Sequence, residues 1–119
     1  MYTISLKNVR VYAYHGCLEE EAVIGSHYLV NLKVKCNLEG AAITDKLGDT
    51  VDYVALQSIV AEQMAQRAKL LETVCKRINN VILEKFKMVN WVWVEIAKCN
   101  PPINGDVQSV CVALESARF

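Results

Sequence analysis

An α+β fold, with two helices lying together on one face of a four-stranded antiparallel sheet, is predicted by three features of the sequence. Four stretches, two early and two late in the chain, alternate apolar and polar residues as strands do. Two central segments instead repeat apolar residues at helical spacing. Each strand then has one aliphatic face and each helix one apolar stripe. Burying these against one another leaves the opposite sheet face uncovered.

The first strand is expected from Ile4 to His15, with Val9, Val11 and Ala13 on one face and Arg10, Tyr12 and Tyr14 on the other. His15-Gly16 breaks the pattern, and Leu18 to Ala22 followed by Ile24-Gly25 reads as a short helical turn or structured loop. The second strand runs from His27 to about Asn37, with Tyr28, Val30, Leu32, Val34 and Cys36 inward and Asn31, Lys33 and Lys35 outward. An antiparallel pair with an elaborated connection follows from this order. Leu38 to Thr50 reads as an irregular connection with one helical turn around Ala41–Ile43.

Asp52 is placed to cap a helix in which Leu56, Ile59, Val60 and Met64 form the buried stripe as far as about Ala68. A second helix carries Leu71, Val74, Cys75, Ile78, Ile82 and Phe86 on one face. Both stripes are read as core. The third strand, Val89 to Lys98, sets Val92, Val94 and Ile96 opposite Trp91, Trp93 and Glu95. The fourth, Val107 to about Ala117, sets Val110, Val112 and Leu114 against Cys111, Ala113 and Glu115. The uncovered face, with its aromatics and lysines, either meets solvent or belongs to a sheet that closes edge to edge with other copies.

With 119 residues and no linker or repeat, a single domain over residues 1–119 is expected. Thirteen basic residues balance thirteen acidic ones, so no overall field points to nucleic acid or an anionic membrane. No apolar run is long enough to cross a bilayer, and Met1 leads directly into strand pattern, so a cytoplasmic protein is expected. The five cysteines are scattered without a Cys-x-x-Cys pair and are read as small buried hydrophobes. His15 and His27 are the only histidines, which argues against a zinc site.

Chemistry is sought first in Glu95-Ile96-Ala97-Lys98-Cys99-Asn100-Pro101-Pro102-Ile103, where an apolar strand reaches a lysine and is then stopped by proline. Lys98 is thus held by a sheet on one side and free to reach a cleft on the other. Glu72 falls in the first turn of the second helix, where unpaired N–H groups favour a carboxylate. Tyr53 stands at the loop-to-helix junction after Asp52, Glu21 in an acidic turn, and His15 at the end of a strand.

Four blocks in this order, Tyr12-Ala13-Tyr14-His15-Gly16 with Glu21 and Ile24-Gly25, Asp49-Thr50-Val51-Asp52-Tyr53, Leu70-Leu71-Glu72, and Lys98-Cys99-Asn100-Pro101-Pro102-Ile103, resemble dihydroneopterin aldolase over nearly the whole chain. The resemblance implies a tunnelling-fold subunit whose β-β-α-α-β-β protomers close into a barrel, stack as two rings into an octamer and form active sites between neighbours. It implies a metal-free carbon–carbon lyase without a cofactor. Its small-molecule partner is a pterin, 7,8-dihydroneopterin, cleaved to 6-hydroxymethyl-7,8-dihydropterin and glycolaldehyde, with epimerisation as a side activity. It further implies that Glu72, with a backbone group beside Leu71, anchors the pterin ring and that Lys98 is the general acid/base. Tyr53 of the adjacent subunit is then the proton shuttle, and Glu21 binds near the same substrate side chain. Two alternatives remain open at this level: an epimerase acting on dihydroneopterin triphosphate, and a pterin- or purine-binding ring without catalysis.

Overall fold

The structure is a computed structural model that describes residues 1–118. Phe119, the last residue of the expected domain, lies outside the described residues. The elements are β1 (Tyr2–Ala13), α1 (Glu19–Ile24), β2 (Ser26–Cys36), α2 (Glu39–Thr44), a 3-10 turn (Leu47–Asp49), α3 (Tyr53–Ala65), α4 (Leu71–Lys85), β3 (Val89–Cys99) and β4 (Ser109–Ala117). The strands form one antiparallel sheet in the order β1-β2-β3-β4. Helices α3 and α4 pack on one face of it.

Between helices and sheet lies the core expected from the alternation. Val30, Leu32, Val34, Val92, Val94 and Ile96 from the central strands meet Leu56, Val60, Met64, Val74, Ile78 and Ile82 from the helices, all buried. Each such aliphatic side chain contributes about 1.5–3 kcal/mol on leaving water. The same face of β2 and β3 continues past these aliphatics to Tyr28 and Lys98, which are register partners. On the opposite face Lys33 lies over Trp93 and Lys35 over Trp91, with ammonium-to-centroid distances of 5.0 and 4.5 Å. The aromatics there are covered partly by these long side chains.

β1 departs from the single alternation expected of it. Leu6 pairs with Leu32 and Val9 with Val30, so Lys7 and Asn8 together oppose Asn31 alone. This β-bulge reverses the parity of the strand, and Ile4 and Leu6 pack inward along with Val9 and Val11. Asn8 takes the left-handed conformation the bulge requires, with φ of 53°. Its backbone N–H donates to Asn31 Oδ1 at 2.8 Å, and Asn31 Nδ2 donates back to Asn8 Oδ1 at 3.3 Å. The strand also ends at Ala13, two residues earlier than expected.

Other boundaries shift for local reasons. Asp52 caps α3 as expected, its Oδ1 accepting from the Val54 N–H at 2.9 Å. The helix ends at Ala65, three residues before Ala68, and Arg77, reaching across from α4, satisfies the carbonyls of Gln63 and Gln66 there at 2.9 and 2.7 Å. The connection after β2 holds more order than the one turn expected, namely α2 and the 3-10 turn. The fourth strand begins at Ser109, two residues later than Val107. Asn79, which interrupts the apolar stripe of α4, is fully buried and donates to the Leu114 carbonyl and Ser116 Oγ, each at 3.1 Å, tying the helix to β4.

The reading of all five cysteines as buried is corrected. Cys36 and Cys75 are buried, Cys99 is partly so, and Cys17 and Cys111 are exposed. Cys17 stands on the loop after His15, and Cys111 on the outer face of a strand whose partner residue is Ala97.

If the Asn8–Asn31 pair fixes the bulge, Asn31→Ala lowers unfolding free energy by about 1–2 kcal/mol, whereas Asn8→Gly, which keeps the left-handed backbone available, costs less. Urea denaturation midpoints of the two variants test this order.

Candidate active site

Lys98 is the penultimate residue of β3 and shares the inward face with Val94 and Ile96. Only 8% of it is exposed. A lysine so placed must find acceptors for its ammonium group, and two are supplied by the segment after β1. The His15 carbonyl accepts from Lys98 Nζ at 2.8 Å, and Glu21 Oε2 forms an ion pair with the same nitrogen. Burial lowers the pKa of Lys98 from its ordinary value, and Cys17 opposes the shift. The charged group actually touching the amine is the Glu21 carboxylate, which favours the ammonium form.

Glu21 reaches Lys98 because Gly16 has no side chain. Gly16 adopts φ of 142°, and a Cβ there would lie 2.2 Å from Glu21 Oε2. Any other residue would push the carboxylate off the amine. The second carboxylate oxygen accepts from the Leu18 N–H at 3.4 Å, which anchors Glu21 at the start of α1.

The loop from Tyr14 to Leu18 is clamped to the end of α3. Arg67 donates through Nε to the Tyr14 carbonyl at 3.0 Å and through Nη2 to the Gly16 and Leu18 carbonyls at 2.8 and 3.4 Å. Gly16 N–H donates to the Ala68 carbonyl at 3.0 Å, and the Cys17 thiol to the Lys69 carbonyl at 3.6 Å. His15 is 1% exposed, and its Nδ1 accepts from the Ala68 N–H at 3.1 Å, which places the ring proton on Nε2. Burial first, then the charge of Arg77, pushes the imidazole down to about 4. Lys98 and Arg67 add to this lowering, and the Met64 carbonyl opposes it. His15 is therefore a neutral, buried joint between the loop and the α3–α4 connection.

Leu71 and Glu72 follow directly on this tethered stretch, in the first turn of α4. From Lys69, bound by Cys17, at most about 11 Å of chain leads to Glu72. Glu72 is exposed, while Leu71 is half-buried. The charge of Glu72 also reaches Cys75, whose thiol bonds the Val112 carbonyl, and Val112 pairs with Ile96, two residues from Lys98. Lys98, Glu21, Leu71 and Glu72 thus belong to one end of the molecule.

Tyr53 does not join them. It is 64% exposed and opens α3, so about 18 Å of helix separates it from Ala65 and the His15 joint. A cleft of about 220 Å³ is lined by Leu18, Glu20, Glu21, Ser26, Asn100 and Pro102 among others, and so borders the carboxylate that pairs with Lys98. A larger groove of about 470 Å³, lined by Tyr2, Leu38, Asp45, Leu47 and Thr50 among others, lies near the Tyr53 end and touches none of the Lys98 cluster. Chemistry points to the smaller cleft, since it borders the amine's carboxylate partner. The parts played by Arg67, by Gly16 and by the Tyr28 hydroxyl, which donates to the His15 carbonyl, were not read from the sequence. Of these, only Gly16 carries a local signal, as the residue that breaks a strand pattern just before an acidic turn.

The family model for dihydroneopterin aldolase matches residues 4–115. A dihydroneopterin aldolase of Streptococcus pyogenes serotype M1 is 33% identical over 119 residues, covering 99% of this chain and 100% of the relative. The fold is shared with a crystal structure of the E. coli dihydroneopterin aldolase in complex with neopterin, at a TM-score of 0.89 and 19% identity, covering 98% of this chain and 100% of that one. It is shared also with a Burkholderia dihydroneopterin aldolase bound to guanine, at a TM-score of 0.78 and 24% identity, covering 99% and 92% of the two chains.

His15 links the site to stability. The unfolded chain takes up a proton at an ordinary histidine pKa near 6.5, the folded chain only at about 4. Stability is therefore full above pH 6.5 and falls as the pH is lowered toward 4, by about 3 kcal/mol in all. In His15→Gln, which keeps an acceptor for Ala68, this contribution to the slope disappears. Urea midpoints measured between pH 4 and 7 for both proteins decide it.

Proposed function

Because the chain belongs to the dihydroneopterin aldolase family, a family of carbon–carbon lyases, we propose that the cluster around Lys98 is its catalytic centre and that Glu72 binds the substrate's ring. The observation that carries the proposal is a buried lysine at the end of the core face, held by a carboxylate and a backbone carbonyl, within a short stretch of chain of an exposed carboxylate at a helix N-terminus. Neopterin and guanine, the ligands of the two similar structures, share an amino–amide edge that presents two parallel donors. An ionised carboxylate such as Glu72 suits that edge, and a backbone group beside Leu71 supports it.

The reaction follows from this placement. Lys98 as the neutral amine takes the proton from the second side-chain hydroxyl of 7,8-dihydroneopterin. The bond between the first and second side-chain carbons breaks, the oxygen becomes the carbonyl of glycolaldehyde, and the bonding pair moves into the ring imine. Return of a proton to the first carbon gives 6-hydroxymethyl-7,8-dihydropterin. Burial favours the neutral amine that begins the cycle, and Glu21, near the substrate hydroxyls, offers the ammonium a partner in between. Recombination before glycolaldehyde leaves inverts one hydroxyl and accounts for a 2'-epimerase side activity.

Tyr53 enters the same reaction as proton shuttle only from another subunit. Its separation from Lys98 along α3 supports active sites shared between copies, in a ring of protomers and an octamer of two rings. The substrate class is a small pterin met in the cytoplasm. Among the described residues no helix is long and apolar enough to cross a membrane.

Lys98→Ala is expected to lower kcat by about 100-fold to 10,000-fold while a bound pterin is still held, and Glu72→Ala to weaken pterin binding by about 100-fold. Glycolaldehyde release and equilibrium binding of neopterin separate the two effects; the reverse pattern would overturn the assignment. If sites are shared, co-assembling Lys98→Ala with Tyr53→Phe chains restores about a quarter of native activity, because some sites then take both intact residues. No recovery in the mixed oligomers would place Tyr53 outside the site.

A further inference from the structure

The His15 carbonyl accepts two hydrogen bonds in a space closed to water. One comes from Lys98 Nζ at 2.8 Å, the other from the Tyr28 hydroxyl at 3.0 Å. Tyr28 and Lys98 are direct partners across β2 and β3, and the ammonium lies 5.8 Å from the centre of the tyrosine ring. The ring is 1% exposed and meets the His15 imidazole edge to face at a centroid distance of 5.5 Å. Packing on both sides therefore fixes the direction of the hydroxyl. Aliphatic residues fill the equivalent inward positions along the rest of β2 as far as Leu32 and Val34, so a phenylalanine would satisfy the core equally well at this point.

A carbonyl oxygen has two lone pairs, and each bond it accepts weakens the other. A sole donor to His15 would receive the full strength of that oxygen. With Tyr28 bound beside it, Lys98 receives less. Burial lifts the Tyr28 phenol to about 12, so it stays protonated and remains a donor throughout the range in which the amine changes charge.

We propose that Tyr28 is a positioning residue of the lysine centre: by occupying one lone pair of the His15 carbonyl, it weakens that oxygen's hold on the Lys98 ammonium and eases release of the neutral amine. This rests on the reading of Lys98 as the acid/base but acts on a property of the free protein. The other titratable groups around Lys98 are Glu21 from α1, which favours the charged amine, and Cys17 and His15 from the loop. Arg67, bonded to the Gly16 carbonyl, faces the same loop from the end of α3. β4 contributes only Val110 opposite Lys98, with Ser109 and Cys111 beside it in the register. None of these groups bonds the His15 carbonyl besides Lys98 itself, which leaves the tyrosine as its one adjustable competitor among the described residues.

The experiment is a pH titration of Lys98 in protein carrying ¹³Cε-lysine, the signal assigned by its loss in Lys98→Ala, for the native chain and Tyr28→Phe. The proposal expects the Lys98 midpoint to rise in Tyr28→Phe, with a matching upward move in the acidic limb of kcat/KM and pterin affinity unchanged. A midpoint that stays or falls overturns it, and so does a variant that only melts earlier, which is what a purely structural hydroxyl would give. Glu21→Gln serves as the control for sensitivity, because removing the carboxylate must lower the same midpoint. Since the titration is read without substrate, a protein that released no glycolaldehyde would refute the aldolase reading and leave this result standing on its own.

Discussion

An ammonium group withdrawn from water at the end of a sheet sets the terms for the rest of this structure. Lys98 occupies a position that alternation reserves for the core, and an uncompensated charge there would cost several kcal/mol. The compensation is assembled from two separate pieces of chain, a carboxylate from α1 and a carbonyl from the loop after β1, and a tyrosine from β2 competes for that carbonyl. None of these lies within ten residues of Lys98. The price is rigidity, since Gly16, Arg67 and the His15 ring all serve to keep the loop where its oxygen can be reached.

Much of this was legible beforehand because strand periodicity is local. Tyr28, Val30, Leu32 and Val34 announce the inward face of β2, and the same count along β3 runs through Val92, Val94 and Ile96 to Lys98. Asp52 announces α3 through a bond to a neighbour two residues away. The candidate site residues Glu21, Leu71, Glu72, Tyr53 and Lys98 were reached through short blocks whose joint order resembles a family. What remained hidden depends on partners distant in sequence. Arg67 and Arg77 look like surface residues until the carbonyls of the loop after β1 and of the end of α3, respectively, are placed beside them. Asn79 breaks an apolar stripe for the sake of β4, and Asn8 reverses a strand with help from Asn31. Exposure of Cys17 and Cys111 likewise follows from tertiary position, and composition alone misjudged it.

The separation of Tyr53 from the other candidate residues along α3 is equally a matter of geometry. The helix carries Tyr53 at one end and meets the His15 joint at the other, so its length keeps the two apart within one chain. On the proposal that Tyr53 serves the reaction from a neighbouring copy, assembly becomes part of the chemistry. Neither the fold of the protomer nor the packing of its core depends on Tyr53, which is largely exposed. Such a residue is free to be specified by a neighbour's needs.

The bulge in β1 reaches further than its two residues suggest. Had the strand run regularly from Ile4, the half beyond Asn8 would be rotated by half a turn, with Tyr12 and Tyr14 directed into the core and Ala13 away from it. The His15 oxygen, at the far end of that half, would then leave the lysine. A phase slip seven residues upstream thus sets the compass of the loop, and β1 can be shortened or lengthened above it only in steps of two.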